Sequence, residues 1–209
     1  MFFEPNKRDR SILKHDPFKA LIAPRPVGWI SSRDREGRIN LAPYSFFNAF
    51  SGDPPIVGFC SEGEKDSLTF ARDSGEFVWN MATYDLRFQM SETSAPLARG
   101  DSEFNHAGLT MAPSELVKAP RVKESPAQLE CKVTQITQLV DMNGGITPRF
   151  LCMGQVIGIH IDDRFIADGI VQIPLMKPIA RCGYQDYTVL DRVFSIKRPE
   201  GAGNREGGG

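Results

Sequence analysis

Histidine is scarce in this sequence: His15, His106 and His160 stand far apart, with no HxH or HxxE spacing. That argues against a zinc or iron site, which needs several ligands brought close together. The four cysteines are just as dispersed. Cys60, Cys131, Cys152 and Cys182 form no CxxC pair, and each adjoins an apolar, strand-like run, which predicts reduced thiols with no disulfide and no metal. There is no N-x-S/T sequon, and together with the thiols this points to a reducing, cytoplasmic setting. No apolar run approaches the roughly 18 residues of a membrane-spanning helix, and the opening MFFEPNKRDR carries charge where a secretion signal needs its apolar core. A basic surplus is also missing. Net charge is −1, with Lys and Arg spread along the chain, which excludes a general nucleic-acid binder. Neither a GxSxG elbow nor a P-loop occurs. The GxG within GAGNREGGG (201–209) has no strand before it and no helix after it, so it is no dinucleotide fingerprint.

What is present describes a globular chain. Hydrophobic residues make up 41% and charged residues 24%, ordinary for a soluble domain. A compact chain of this length buries roughly 70% of its unfolded surface, so no staples are needed. We expect an N-terminal arm at 1–11, one domain over 12–198 and a flexible tail at 199–209. Strands are expected at 26–32, 38–42, 55–60, 76–82, 128–140 and 150–161. In the last two, apolar residues alternate with polar ones, with Gly154 and Gly158 marking bends that help a sheet curl. Short helices are expected at Leu68–Asp73, capped by Asp66 or Ser67 and closed by Gly75, and at Leu86–Thr93, capped by Asp85. Residues 94–127 form a long, proline-punctuated excursion.

The chemistry concentrates in RPVGWISSRDREGRINLAPYSFFNAF (25–50). Two apolar runs flank the charged connection Arg33–Gly37, the pattern of a β-hairpin. After it, Ala42, Pro43, Tyr44, Ser45, Phe46, Phe47 and Asn48 mix hydroxyls, an amide and three aromatics. With Ser31 and Ser32 they put hydrogen-bonding groups beside flat apolar surface. Two readings fit: an ordinary hairpin with a polar turn, or a seat for a planar, polar-edged heterocycle such as a flavin. The segment Ser61-Glu62-Gly63-Glu64-Lys65-Asp66-Ser67 leaves a strand and opens a helix. It is either a solvated helix start or a phosphate site, with Lys65 and two serines as donors and two glutamates in opposition.

These motifs are matched in one family. APRPVGWISS (23–32), GRINLAPYSFFNAFSGDPPIVGF (37–59), KDSLTF (65–70), GEFVWNMA (75–82), SAPLARGDSEF (94–104), AGLT (107–110), PRVKESPAQLEC (120–131) and GQVIGIHIDD (154–163) resemble the flavin reductase-like family of FMN-binding split barrels over about residues 12–190. The resemblance implies a mainly β fold, a Greek-key split β-barrel with a few short helices, that binds FMN non-covalently. It implies flavin contacts at Trp29, Ile30, Ser31, Ser32, Ala42, Pro43, Tyr44, Ser45, Phe47 and Asn48, and a phosphate site at Ser61, Lys65, Asp66 and Ser67. It implies a homodimer with the flavin near the interface.

The favoured activity is that of an NAD(P)H:flavin oxidoreductase, with NAD(P)H as co-substrate and oxygen, free flavin or a partner oxygenase as acceptor. The alternatives are an FMN electron carrier without NAD(P)H chemistry and a non-catalytic flavin-binding module. His106 is the one catalytic candidate, because it lies in the excursion that the resemblance brings toward the flavin. His15 is expected to face solvent, and His160 to be a hydrogen-bonded structural residue. Tyr184 and Tyr187 fit either an aromatic lid from a partner subunit or a final strand packed on the barrel. Tyr44, Phe46, Phe47 and Phe50 are too many large rings for one loop. Strand alternation would point Tyr44 and Phe46 one way and Phe47 the other.

Overall fold

The computed structural model describes residues 1–98, 101–197 and 199. The expected tail therefore lies outside the described residues, apart from Pro199. Seven strands form the main sheet: β1 (Gly28–Arg33), β2 (Ile39–Tyr44), β3 (Phe47–Gly52), β4 (Pro55–Glu62), β5 (Glu76–Asn80), β6 (Ala127–Val140) and β7 (Ile146–Ile161). All pairings are antiparallel, in the order β2-β1-β5-β6-β7-β4-β3. The two edge strands, β2 and β3, are consecutive in the chain and joined only by Ser45 and Phe46. So short a link between opposite edges forces the sheet to curl until the edges meet. The edges are not paired with each other, and the barrel is split along that seam.

The first hairpin forms as the sequence predicts, one residue displaced. Its connection is Asp34–Arg38, closed by Asp34 N–H donating to the Arg38 carbonyl at 3.1 Å, and Gly37 takes φ +89°, a conformation that side chains disfavour. Strand β3 was not expected, because NAFSG lacks alternation. Both expected bends coincide with register shifts in the β6–β7 ladder, at Met153/Gly154 and Val156/Gly158. At Gly154 a Cβ would lie 2.6 Å from the Phe77 ring. That close approach lets β7 curve over the barrel interior.

Helix α1 (Asp66–Ser74) starts earlier than expected. Its N-cap is Lys65, and no side chain caps it. Asp66 and Ser67 are thus first-turn residues, not caps. Gly75 ends the helix at φ +74°. Helix α2 (Arg87–Glu92) likewise begins after Leu86 with no side-chain cap, so Asp85 does not cap it.

Strand β1 is buried on both faces, which explains its unbroken apolar and small-residue run. Ile30 joins Tyr44, Val57, Phe59, Leu68, Phe77, Cys131 and Cys152 inside the barrel. Trp29 faces a second core with Leu41, Met90, Phe104 and Ile179 outside it. Tyr44 and Phe47 both turn inward, and Phe46 and Phe50 are exposed. The expected alternation fails because Ser45 and Phe46 form the link between strands, so the facing resets at Phe47.

The excursion is mostly irregular, with one short helix, α3 (Glu103–His106), capped by the Ser102 hydroxyl. Two buried carboxylates seat it. Glu130 accepts the Glu115, Leu116 and Val117 N–H groups at 2.8, 2.6 and 3.0 Å. Glu76 accepts the Lys118 N–H and pairs with Lys132 at 2.7 Å. His160 bonds to Glu130, a structural placement as expected. Burial alone would push the Glu130 carboxyl up, but the Glu115 N–H, the His160 ring and the Leu116 N–H together hold it below its usual value. A final hairpin, β8 (Ile179–Gly183) and β9 (Asp186–Val189), pairs with the two-residue strand Arg25–Pro26.

Candidate functional site

A cleft of about 780 Å³ opens along the seam of the barrel, within the roughly 300–1,000 Å³ typical of small-molecule sites. Its position follows from topology. Strand β2 has a strand partner on one side only, so the backbone of Ala42–Tyr44 presents an unladdered edge beside the hollow.

One wall is Ala42, Pro43, Tyr44, Ser45 and Phe46, a flat surface with backbone polar groups. The lining also includes Lys65, Asp66 and Ser67 at the start of α1, with Arg149 from β7. Ser67 is buried and its hydroxyl accepts from Asn40 Nδ2 at 2.6 Å. The ordinary tyrosine pKa is raised at Tyr44 by burial, against the pull of hydrogen bonds with Ser67 and Ser61. Glu62 and Glu64, which oppose an anion on the sequence reading, each carry an arginine. Arg149 meets Glu62 at 2.7 Å and Arg72 meets Glu64 at 2.6 Å. Lys65 is exposed and has no such partner among the described residues, and the Asp66 carboxylate follows it in the same lining.

Seven of the expected site residues therefore meet in one cleft: Ala42, Pro43, Tyr44, Ser45, Lys65, Asp66 and Ser67. The others sit around it. Trp29 and Ile30 are fully buried, and Trp29 Nε1 donates to Thr93 Oγ1 at 3.0 Å, fixing a residue that does line the cleft. Ser31 donates to the Pro120 carbonyl and accepts from Asn80. Ser32 is buried, and its hydroxyl has no partner among the described residues. Phe47 stacks on Trp79 with ring centroids 5.8 Å apart. Asn48 is exposed and accepts from the Ala49 N–H. Ser61 is buried and donates to the Gly63 carbonyl at 2.9 Å. His106 does not line the cleft; it lies 3.3 Å from Glu92.

Several lining residues were not among the site residues expected from the sequence. Asn40 is in the NLAPYS run, and its pairing opposite Ser32 was the available signal. Thr93–Leu97 lines the cleft at the start of the excursion that the resemblance brings toward the flavin, although none of these residues was named as a contact. Glu103 lines it too, accepting the Leu41 N–H at 3.1 Å on the open edge of β2. Burial raises the Glu103 carboxyl above its usual value, against its own and the Leu41 N–H groups, with Asp66 and Asp101 adding to the rise. Cys60 lines the cleft as well, and burial raises its thiol. Cys131 and Cys152 are buried in the barrel, where burial pushes Cys152 up to about 12 and Cys131 further.

An antiparallel split barrel whose open edge borders a cleft, with a helix start at that cleft, is an architecture suited to holding a small molecule. The profile of the flavin reductase like domain matches residues 21–174, and the chain belongs to that family. It is 31% identical over 205 residues to the uncharacterized protein BH2278 of Halalkalibacterium halodurans, covering 94% of this chain and 97% of the relative. Nitrilotriacetate monooxygenase component B from Bacillus cereus superposes with a TM-score of 0.84 at 28% identity, over 94% of this chain and 98% of that one. A split barrel domain protein from Shewanella frigidimarina gives 0.81 at 22% identity, over 95% and 100%, and bears on the fold alone. No helix among the described residues is long and apolar enough to cross a membrane.

Proposed function

We propose that this protein is an FMN-dependent flavin reductase that uses NAD(P)H. The observation that carries the reading is one cleft whose lining brings together groups suited to the phosphate and to the ring of FMN. Lys65, the Ser67 hydroxyl and the uncapped first turn of α1 fit a phosphate: a point charge, a donor and free N–H groups at one place. Ala42, Pro43, Tyr44 and Ser45 fit the ring and ribityl chain, and the open β2 edge supplies backbone groups to a heterocycle's polar rim. When bound, FMN supplies the redox chemistry, taking a hydride from NAD(P)H and passing two electrons onward.

The chain's own task is placement. Strand β1 carries the buried Trp29–Ser32 scaffold that sets the height of β2. Trp29 holds Thr93, so the Thr93–Leu97 segment covers the cleft and limits water. The likeness to a monooxygenase component B supports handing reduced flavin to a partner oxygenase.

A homodimer is part of the reading. Val140, Met142 and Ile146 at the tip of the β6–β7 hairpin are exposed, as are Ile159, Ile170 and Leu175, apolar side chains that a partner subunit would cover. Four unpaired thiols suit a cytoplasmic setting. The test is the visible spectrum of the purified protein followed by anaerobic addition of NADH or NADPH. Bound FMN that bleaches with either supports the reading. Bleaching only by a reduced protein donor makes the protein an electron carrier, and failure to bind FMN refutes the assignment.

A further inference from the structure

The cleft continues past its ring end into a second hollow of about 270 Å³. The two share Lys19, Pro43, Tyr44, Ser45 and Ser94, but the hollow reaches none of Lys65, Ser67 or Arg149. The final hairpin adds Arg181, Tyr184 and Tyr187 to it.

Three observations distinguish this hollow. First, its charged lining is of one sign: Lys19, Arg25 and Arg181, with no carboxylate. Second, Arg25 is a buried cation without a counter-charge. Its guanidinium donates to the carbonyls of Ser45 at 3.1 Å, Cys182 at 3.3 Å, Lys19 and Ile22, and no carboxylate pairs with it among the described residues. A desolvated cation left with dipoles alone makes the adjoining space attractive to an anion. Third, Tyr184 adopts φ +50° in the two-residue turn between Gly183 and Asp186. Glycine or asparagine would sit there with less strain, yet the residue is a bulky ring on the wall of the hollow. Arg181 is held beside it, donating to the Tyr184 carbonyl and lying 4.6 Å above the Tyr187 ring.

We propose that this hollow is the anion subsite of the hydride donor. Arg181 and Lys19 receive the diphosphate of a nicotinamide dinucleotide, and Tyr184 and Tyr187 flank it, so that the nicotinamide is delivered to the shared Pro43–Ser45 wall. This rests on the reading of the main cleft as the FMN site. Among the described residues no glycine-rich turn joins a strand to a helix, so side chains must recognise the dinucleotide. A basic, aromatic hollow continuous with the ring end does so without displacing the FMN phosphate.

The experiment is anaerobic stopped-flow reduction of the FMN-loaded protein by NADH, by NADPH and by N-benzyl-1,4-dihydronicotinamide, which carries the same hydride but no phosphate. Arg181→Ala should raise the concentration of either dinucleotide needed for half-maximal rate by about tenfold or more, the worth of one charge-assisted hydrogen bond. The neutral donor should reduce wild type and variant alike, and Arg181→Lys should recover part of the loss. Tyr184→Gly, which relieves the positive φ, should keep the melting temperature and still weaken dinucleotide use. Unchanged dinucleotide dependence in Arg181→Ala overturns the proposal. So does an equal loss with the neutral donor, which marks a structural role. If none of the three donors reduces bound FMN in wild type, the reading of the main cleft fails and takes the proposal with it. If wild type is reduced but the variants do not discriminate, the subsite alone is wrong.

Discussion

Removing the Glu130 carboxylate is the most direct test of how the excursion is held over the barrel. Glu130 is fully buried in β6 and gathers three backbone N–H groups from residues 115–117 and the His160 ring. Each such bond to a charged acceptor is worth about 1.5–3 kcal/mol in isolation, and such bonds are not additive. Glu130→Ala leaves three backbone donors and the His160 ring without their buried acceptor, so a loss of about 3–5 kcal/mol is expected, the range for breaking a buried charged network. In a protein of this size each kcal/mol moves Tm by about 2–4 °C, which predicts a fall of about 6–20 °C. Glu130→Gln keeps the shape and one acceptor oxygen and should fall between wild type and Ala.

The pH dependence adds a second readout. The folded carboxyl lies below the ordinary value of 4.5, so its stabilisation is present above that value and is lost as pH falls through the folded pKa. Wild type should therefore show an acid limb below about pH 4.5 that the Gln variant lacks in part. The assays are thermal and urea denaturation from pH 3 to 8, with hydrogen exchange at the amides of residues 115–117. A Glu130→Ala protein with unchanged Tm and undiminished protection at those amides would refute the account.

Four further outcomes follow from the geometry. Lys65→Ala should weaken FMN by about 1.5–3 kcal/mol and leave riboflavin binding almost unchanged; equal affinity of wild type for the two flavins by titration would remove the phosphate assignment. Gly154→Ala should destabilise by about 1–3 kcal/mol, because its Cβ would meet Phe77 at 2.6 Å and the Lys132 carbonyl at 3.1 Å; a wild-type denaturation midpoint would show that β7 relaxes freely. All four cysteines should titrate as thiols, with Cys131 and Cys152 reacting only on unfolding, since both are buried and their thiolates are strongly disfavoured; a bridge or stoichiometric zinc in the unreduced protein would contradict this. Sedimentation velocity across a dilution series should show subunits and flavin dissociating together; a monomer at full FMN occupancy would separate the site from the interface.

Much of this protein was legible in its sequence, because the informative signals were local. Alternation in 128–140 and 150–161, the charged turn before β2 and Gly75 after α1 each depend on neighbours a few residues apart, and each element formed within a few residues of its expected place. The motif run from 23 to 70 was specific enough to indicate the family and the barrel. Seven expected site residues meet in one cleft because β2 packs against the start of α1, two strands further along the chain, where Asn40 bonds to Ser67. What the sequence could not carry was long-range. Strand β3 has no alternation and forms because β4 offers it a partner. The helix starts lack the caps expected of Asp85, Asp66 and Ser67, because α1 opens at Lys65 and α2 at Leu86, and the Ser67 hydroxyl is taken up by Asn40 across the fold. Glu130 and Glu76 read as solvent-facing residues of half-exposed strands until the excursion folds back and hands them its N–H groups. Arg25 and Arg181 lie 156 residues apart and share a hollow only because β8 pairs with the Arg25–Pro26 strand, with Arg25 opposite Arg181. Local pattern determined which elements exist. Chain return across the barrel decided which charges face one another, because burial and pairing are properties of what lies opposite a residue in space.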